Sequence, residues 1–180
     1  TMYSALDKCV NNAHSAVGRD ENAVAAVMEG LTLGGIMMNW AGMSRPASGM
    51  EHYISHIIDM RALEFGTPHD LHGIQCGIAT LHTIRMYERL SQILSSPIDI
   101  ASAKKHAESY NLTAHFDKMR EKLGHGAETM IALEAKEGKY SPEKHAARIE
   151  VIAAKREEIL EVISSLPKSD ELEKMMLSIG

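Results

Sequence analysis

Three histidines stand close enough along the chain to form one chemical site: His52, His56 and His72. His52 and His56 are four residues apart, the spacing that places two side chains on one helix face about one turn apart. His72 follows a Gly66-Thr67-Pro68 break and is itself followed by Gly73, which permits close approach of a ligand or a neighbouring helix. Imidazole nitrogen is the commonest protein ligand for Zn2+ and also suits Ni2+ and Fe2+. A catalytic site of that kind typically takes three protein ligands and keeps one position open. The spacing alone is a weak signal in a chain with ten histidines. A zincin-type metallopeptidase needs Glu directly after the first histidine, and Tyr53 stands there. On spacing alone, ordinary polar or core histidines are an equal reading. His14, His106, His115, His125 and His145 lie among charged or helix-boundary residues and read as solvated.

The elements that must hold these residues are helices. Leu6, Cys9, Val10, Ala13 and Val17 recur at 3- and 4-residue spacing, predicting an amphipathic helix over 2–17. Asp20 and Glu21 open a second helix running to about Met43, apolar on most sides with Gly30, Gly34 and Gly35 inside it. Such a helix is expected at the centre of a bundle, its glycines letting a neighbour come close. After Pro46, Ser48-Gly49-Met50-Glu51 reads as a capping box, with Ser48 at the N-cap and Glu51 at N3. That helix carries His52 and His56 and should end near Phe65. A long helix follows over about 70–95. Shorter helices are predicted from Asp99 to about Tyr110, from Thr113 to Leu123 and over 127–137. Ser141-Pro142 opens a long helix to about Leu166, and a last one spans about 169–179. No period-2 segment with hairpin signals occurs. The expected fold is all-α: one domain over 1–180, a bundle of about eight or nine helices with short connections.

Composition narrows the function classes. The 180 residues are 44% hydrophobic, enough for a buried core, while the 4% aromatic content argues against a β-sandwich or barrel. The net charge of −5 provides no positive field for nucleic acid or an anionic membrane, so neither nucleic-acid binding nor membrane insertion is expected. No apolar run is expected to reach the roughly 18 residues of a bilayer span. Cys9 and Cys76 are too few for a disulfide framework, which suits a reducing, cytoplasmic setting. Thr1 ahead of Met2 reads as something other than a native start.

Two longer strings sharpen the histidine reading. One is Ser44-Arg45-Pro46-Ala47-Ser48-Gly49-Met50-Glu51-His52-Tyr53-Ile54-Ser55-His56; the other is His72-Gly73-Ile74-Gln75-Cys76-Gly77-Ile78-Ala79-Thr80. With the upstream Val27-Met28-Glu29-Gly30-Leu31 leading into Gly34-Gly35, they closely resemble the sn-glycerol-1-phosphate dehydrogenases. Those enzymes belong to the iron-containing alcohol dehydrogenase, glycerol dehydrogenase and dehydroquinate synthase superfamily. The resemblance covers roughly residues 5–85. It implies that His52 and His72 are metal ligands and that His56 lies near the substrate or behind the ligands. It also implies that 44–49 form a loop at the mouth of the site, with Arg45 and Ser48 as candidates for contacting substrate. One departure from the family pattern is Ile74-Gln75, where a Glu often follows the later histidine by two residues.

The resembled enzymes pair an N-terminal α/β domain, which binds NAD(H) or NADP(H), with a helical C-terminal domain that contributes the metal site. By that comparison the third metal ligand is an Asp upstream of this chain; Asp7 and Asp20 lack its flanking pattern, and Asp59, on the His52/His56 face, has no ligand role in the superfamily. No Gly-rich phosphate fingerprint is present, because Gly34-Gly35 lies within a helix. The resemblance therefore implies the C-terminal domain of an enzyme interconverting dihydroxyacetone phosphate and sn-glycerol 1-phosphate. The native ion would be Zn2+ or Ni2+, or else Fe2+. The partners would be a small phosphorylated polyol, the enzyme's own N-terminal domain and, through an end such as Met175-Met176-Leu177, a second copy. The isolated chain would bind metal weakly and would not catalyse. Glycerol dehydrogenase or another polyol dehydrogenase of the superfamily stays open. The dehydroquinate synthase string Gly-His-Thr-x-Gly-His is absent, with Glu51 and Ser55 at its glycine positions. A non-catalytic helical interaction module with structural histidines is the remaining alternative.

Overall fold

Local capping chemistry sets where four of the helices begin. Asp20 accepts from the Ala23 N–H at 3.0 Å, Asp99 from Ser102 at 3.0 Å, Asn111 from Ala114 at 3.0 Å and Ser141 from Lys144 at 3.2 Å. Each side chain satisfies an amide that a first helical turn leaves without an internal partner. The structure is a computed structural model that describes residues 2–179. Among them it contains α1 (Met2–Asn11), α2 (Ala13–Val17), α3 (Glu21–Ala41), α4 (Met50–Phe65), α5 (His72–Leu94), α6 (Ile100–Glu108), α7 (Leu112–Leu123), α8 (Gly126–Lys136), α9 (Pro142–Ala154), α10 (Arg156–Ser164) and α11 (Ser169–Ile179).

The all-α expectation holds, and no strand occurs among the described residues. The helix count exceeds the expected eight or nine because two predicted helices are each divided. The first divides at Asn12, whose amide Nδ2 bonds back to the Lys8 carbonyl at 2.8 Å, a short polar side chain competing with the helix for its backbone. The second divides at Lys155, where φ −101° and ψ 17° leave the helical region. Its two halves serve different neighbours: α9 packs on α6, and α10 packs on α5.

The core is centred on α5, which packs against α4, α10 and α11 and buries Ala79, Leu81, Ile84 and Leu94. A second contact joins α1 to α3 through the buried Ala5, Ala23 and Ala26. There Gly30 allows a close approach: a Cβ built on it would lie 3.0 Å from Cys9 Sγ. Arg61 Nη1 donates to the Lys122 carbonyl at 2.7 Å, tying α4 to the end of α7.

Helix α3 is not at the centre of a bundle. Its partners are α1 and α2, and Val24, Met28, Leu31, Ile36 and Trp40 are exposed, Trp40 to 78%. Its 21 residues are also long and apolar enough, by length and composition, to cross a membrane, contrary to the expectation that no such run exists. One side of it is engaged with protein, where Lys8 Nζ meets Glu29 at 2.8 Å.

The last helix docks through a carboxylate. Glu88 on α5 accepts from Ser169 N at 2.9 Å and from Ser169 Oγ at 2.7 Å. These hydrogen bonds to the ionised form hold the Glu88 carboxyl below its usual range. A carboxyl depressed in the folded state stabilises above its unfolded pKa, and the contribution is lost as pH falls through the folded value. Amides of α11 are therefore expected to lose hydrogen-exchange protection ahead of those in α7 as pH drops below about 4. Glu88→Gln should remove that difference, and identical pH profiles for both helices in the unsubstituted protein would contradict the docking role.

Candidate metal centre

The site depends on how the chain returns after α4. Gly66 ends α4 in the left-handed region, at φ 63° and ψ 26°, a conformation that favours glycine. Residues 66–71 then run without helix to His72, the first residue of α5. From His52 to Phe65 the helix advances about 20 Å at roughly 1.5 Å per residue. Seven extended links at about 3.3 Å cover a similar distance. The connection can thus carry the chain back along α4 before α5 begins, as the sequence required for His52 and His72 to meet. The contacts agree, since His52 and Ser55 pair with His72 and Asp59 pairs with Gln75. Over this contact the two helices run side by side in the same chain direction.

The three sequence-predicted histidines converge. His72 Nε2 lies 3.1 Å from His52 Nδ1. The ring centroids are 4.9 Å apart for His52 and His72, 5.4 Å for His56 and His72, and 6.3 Å for His52 and His56. The other nitrogen of His72, Nδ1, is 2.9 Å from Ser55 Oγ, and Ser55 is fully buried. His52 Nε2 faces the Glu51 carboxylate at 3.8 Å. Tetrahedral coordination with Zn–N bonds of about 2.0–2.1 Å sets neighbouring nitrogens about 3.3 Å apart. The His52–His72 separation fits a shared divalent ion. Gln75, only 4% exposed, donates to Asp59 at 2.7 Å while its own Oε1 is buried without a donor.

Two sets of three side chains bring potential ligand atoms within 4.8 Å of one another: His52, His72 and Cys76, and His56, Asp59 and His72. His72 belongs to both. Cys76, Ser55 and Asp59 were not singled out as site members by the sequence reasoning. The signal for Cys76 was present in its spacing, four residues after His72 on one helix face. The position of Ser55, buried against His72, depends on the return of the chain and had no local signature.

The cap of α4 and the burial of His115 differ from expectation. The N-cap of α4 is Gly49 rather than Ser48, and no side chain caps it. Half of the expected capping box survives, because Glu51 accepts from the Gly49 N–H at 2.8 Å. Arg45 is exposed and Ser48 half-buried on the loop before α4, and no hydrogen bond or ion pair among the described residues joins either to the imidazoles. A Cβ at Gly73 would meet nothing within 4 Å, so no neighbouring helix uses that approach. His115, expected to be solvated, is half-buried between Tyr110 and Tyr140, with Tyr110 Oη 2.9 Å from Nδ1.

No family model matches the chain, and no solved structure matches it. Curated relatives do. A glycerol-1-phosphate dehydrogenase [NAD(P)+] of Bacillus subtilis is 36% identical over 91 residues, 51% of this chain and 23% of the relative. The enzyme of the same name from Methanosphaera stadtmanae is 31% identical over 107 residues, 59% of this chain and 30% of its own length. That of Halalkalibacterium halodurans is 25% identical over 177 residues, covering 98% of this chain and 34% of the relative. This alignment extends well past residues 5–85, so the likeness is not confined to the histidine strings. The chain spans between about a quarter and a third of the length of the curated relatives it matches. The resemblance carried by the histidine strings therefore holds, and the chain is similar in sequence to the glycerol-1-phosphate dehydrogenases over part of their length.

Proposed function

We propose that this chain is the helical, metal-binding part of a dehydrogenase that interconverts dihydroxyacetone phosphate and sn-glycerol 1-phosphate with NAD(P)(H). The observation that carries the reading is the convergence of His52, His56 and His72 across α4 and α5, the residues to which the resemblance assigns metal and substrate. His52 and His72 would hold a divalent ion, Zn2+, Ni2+ or Fe2+ by ligand type. Such an ion supplies Lewis-acid polarisation of the substrate carbonyl when bound.

The chain's own residues contribute position and orientation. Ser55 Oγ lies 2.9 Å from His72 Nδ1, so the tautomer that donates Nδ1–H to it would leave the Nε2 lone pair on the side of His52. His56, on the same helix face as His52, stands beside the ion site to hydrogen-bond the substrate. On the loop leading into α4, Arg45 is the candidate for the substrate phosphate and Ser48 a further candidate substrate contact. NAD(P)H held by another domain would supply the hydride, and solvent the proton, for reduction to the secondary alcohol. The nucleotide, and an Asp as a further ligand, would be held by an N-terminal α/β domain outside these 180 residues. Both cysteines are free thiols, in keeping with a cytoplasmic enzyme.

The test is turnover by the full-length polypeptide that contains this chain, with dihydroxyacetone phosphate, NADH or NADPH and added Zn2+ or Ni2+. The expected result is metal-stimulated formation of sn-glycerol 1-phosphate, identified by chiral analysis. Oxidation of free glycerol in preference to its 1-phosphate would overturn the substrate assignment. Reduction of dihydroxyacetone phosphate by the 180 residues alone would overturn the assignment of the nucleotide to another domain.

A smaller effect follows from Ser55. Ser55→Ala leaves His72 without the partner that fixes its ring, and outer-shell partners of this kind are worth about 10–100-fold in metal affinity. Zinc affinity, read by competition with a chromophoric chelator, should fall within that range while helix content stays unchanged. Equal affinity would show that Ser55 does not orient the ligand.

A further inference from the structure

We infer that the exposed apolar face of α3 is a docking surface whose occupant is the nucleotide-holding domain of the same polypeptide. The inference rests on the assignment of NAD(P)(H) to a domain outside these 180 residues, and it adds the face of this chain that receives that domain.

Helix α3 is packed on one side only. Ala23, Ala26 and Gly34 are buried, and the helix partners are α1 and α2. On the other side Val24, Met28 and Leu31 stand at i, i+4 and i+7, one stripe of a helix, and all three are exposed, Leu31 to 65%. Ile36, Trp40 and Met43 repeat that spacing toward the end of the helix and are exposed as well. Gly35 continues the first stripe, and a Cβ built on it would meet nothing within 4 Å. Charge is sparse: the exposed residues of α3 include only Glu21 and Glu29 as charged groups, and Glu29 is paired with Lys8 at 2.8 Å. Single exposed apolar side chains are ordinary, whereas a contiguous row of them marks an interaction site.

Chain length and position favour one occupant. In Halalkalibacterium halodurans the relative aligns with 98% of this chain over only 34% of its own length, so a larger body of protein accompanies the counterpart of this helix there. Helix α3 ends at Ala41, and residues 42–49 lead without helix into α4, which carries His52 and His56. A domain seated around Trp40 therefore borders the loop of Arg45 and Ser48. Hydride transfer requires the reacting atoms within about 3–3.5 Å, so the nucleotide has to reach the ion site from a body docked beside it. A second copy of this chain would bring another α3 but no nucleotide. A bilayer fits poorly, because the half-exposed Lys8–Glu29 pair would lie near the middle of the buried span.

Photo-crosslinking in the full-length polypeptide that contains this chain tests the assignment. The photoreactive residue p-benzoylphenylalanine is placed at Trp40, at Leu31 and, for reference, at Glu157 on α10, whose side chain is 77% exposed. Products are separated by mass, and their crosslinked peptides are identified by mass spectrometry. The expected result is a product of monomer mass joining positions 40 and 31 to residues that precede Thr1, in at least tenfold higher yield than from position 157. Far-ultraviolet circular dichroism checks that each variant keeps its helix content, and the two positions on α3 provide independent reports. A product of dimer mass would assign the face to a second copy and overturn the inference. Equal yields at all three positions, or no crosslink from either position on α3, would overturn it too. Reduction of dihydroxyacetone phosphate by the unsubstituted polypeptide is measured in parallel. Turnover without the expected crosslink sinks the docking and leaves the function standing; the crosslink without turnover does the reverse.

Discussion

His72→Ala is expected to lower the affinity of the chain for Zn2+ by at least about 100-fold, more than the loss of an outer-shell partner produces. His72 is the one residue common to both three-donor sets, so its removal leaves two donors in each. A 100-fold loss corresponds to about 2.8 kcal/mol of binding free energy. His56→Ala should be much milder, within a few-fold, because the proposed site holds the ion without it. His72→Ala also strips the buried Ser55 hydroxyl of its partner, and a buried unsatisfied group costs about 1–3 kcal/mol of stability. His72→Gln, which retains a hydrogen-bonding group of similar reach, separates the two effects: metal affinity should still collapse while stability recovers. Chelator competition with Zn2+, combined with urea unfolding of the metal-free forms, reads both quantities. Undiminished zinc affinity in both variants would exclude His72 as a ligand.

Leu94→Ala should produce the largest loss of stability of any single truncation discussed for this chain. Leu94 closes α5 and is 2% exposed, and its carbonyl accepts from Arg156 Nη1 at 2.7 Å, joining α5 to α10. Deleting a buried leucine side chain costs its transfer free energy plus that of the cavity left behind, about 2–5 kcal/mol. That is a large share of the roughly 5–15 kcal/mol by which folded domains exceed their unfolded chains. The core here has few large members, since Ala5, Ala23, Ala26, Ala79 and Ala127 make up much of what is buried. The loss is expected to fall within that range. The backbone bond to Arg156 survives the substitution, and the change in urea midpoint therefore reports packing. A shift equivalent to less than about 1 kcal/mol would show that the site collapses without penalty.

Much of the helical layout was legible locally because caps act over a few residues. Asp20, Asp99 and the Ser141-Pro142 pair all open helices where expected. Boundaries moved by one or two residues where nearby residues could serve the same role. Gly49 took the cap expected of Ser48 while Glu51 still reached back to its N–H, and Asn111 rather than Thr113 opens α7. The interruptions at Asn12 and Lys155 were not legible, because the apolar period runs through both positions. One follows from a side-chain amide turning to the Lys8 carbonyl, the other from two helix halves packing on different partners. The peripheral place of α3 was not legible for a related reason. An apolar helix with internal glycines has the composition of a central element, but composition carries no information about which neighbours the chain brings to it.

By itself, the sequence determined that the chain is helical and that His52 and His56 share a face. It also carried the likeness to glycerol-1-phosphate dehydrogenases in the strings around the histidines. These are properties of residues within a few positions of one another, or of whole strings compared as strings. Tertiary structure decided that His72 meets His52, that Ser55 lies buried behind it, and that Cys76 and Asp59 stand within ligand distance. The physical reason is the path of residues 66–71. A left-handed glycine followed by an extended return brings the start of α5 level with the start of α4, and the donors at those two helix starts become neighbours across a separation that no local periodicity encodes.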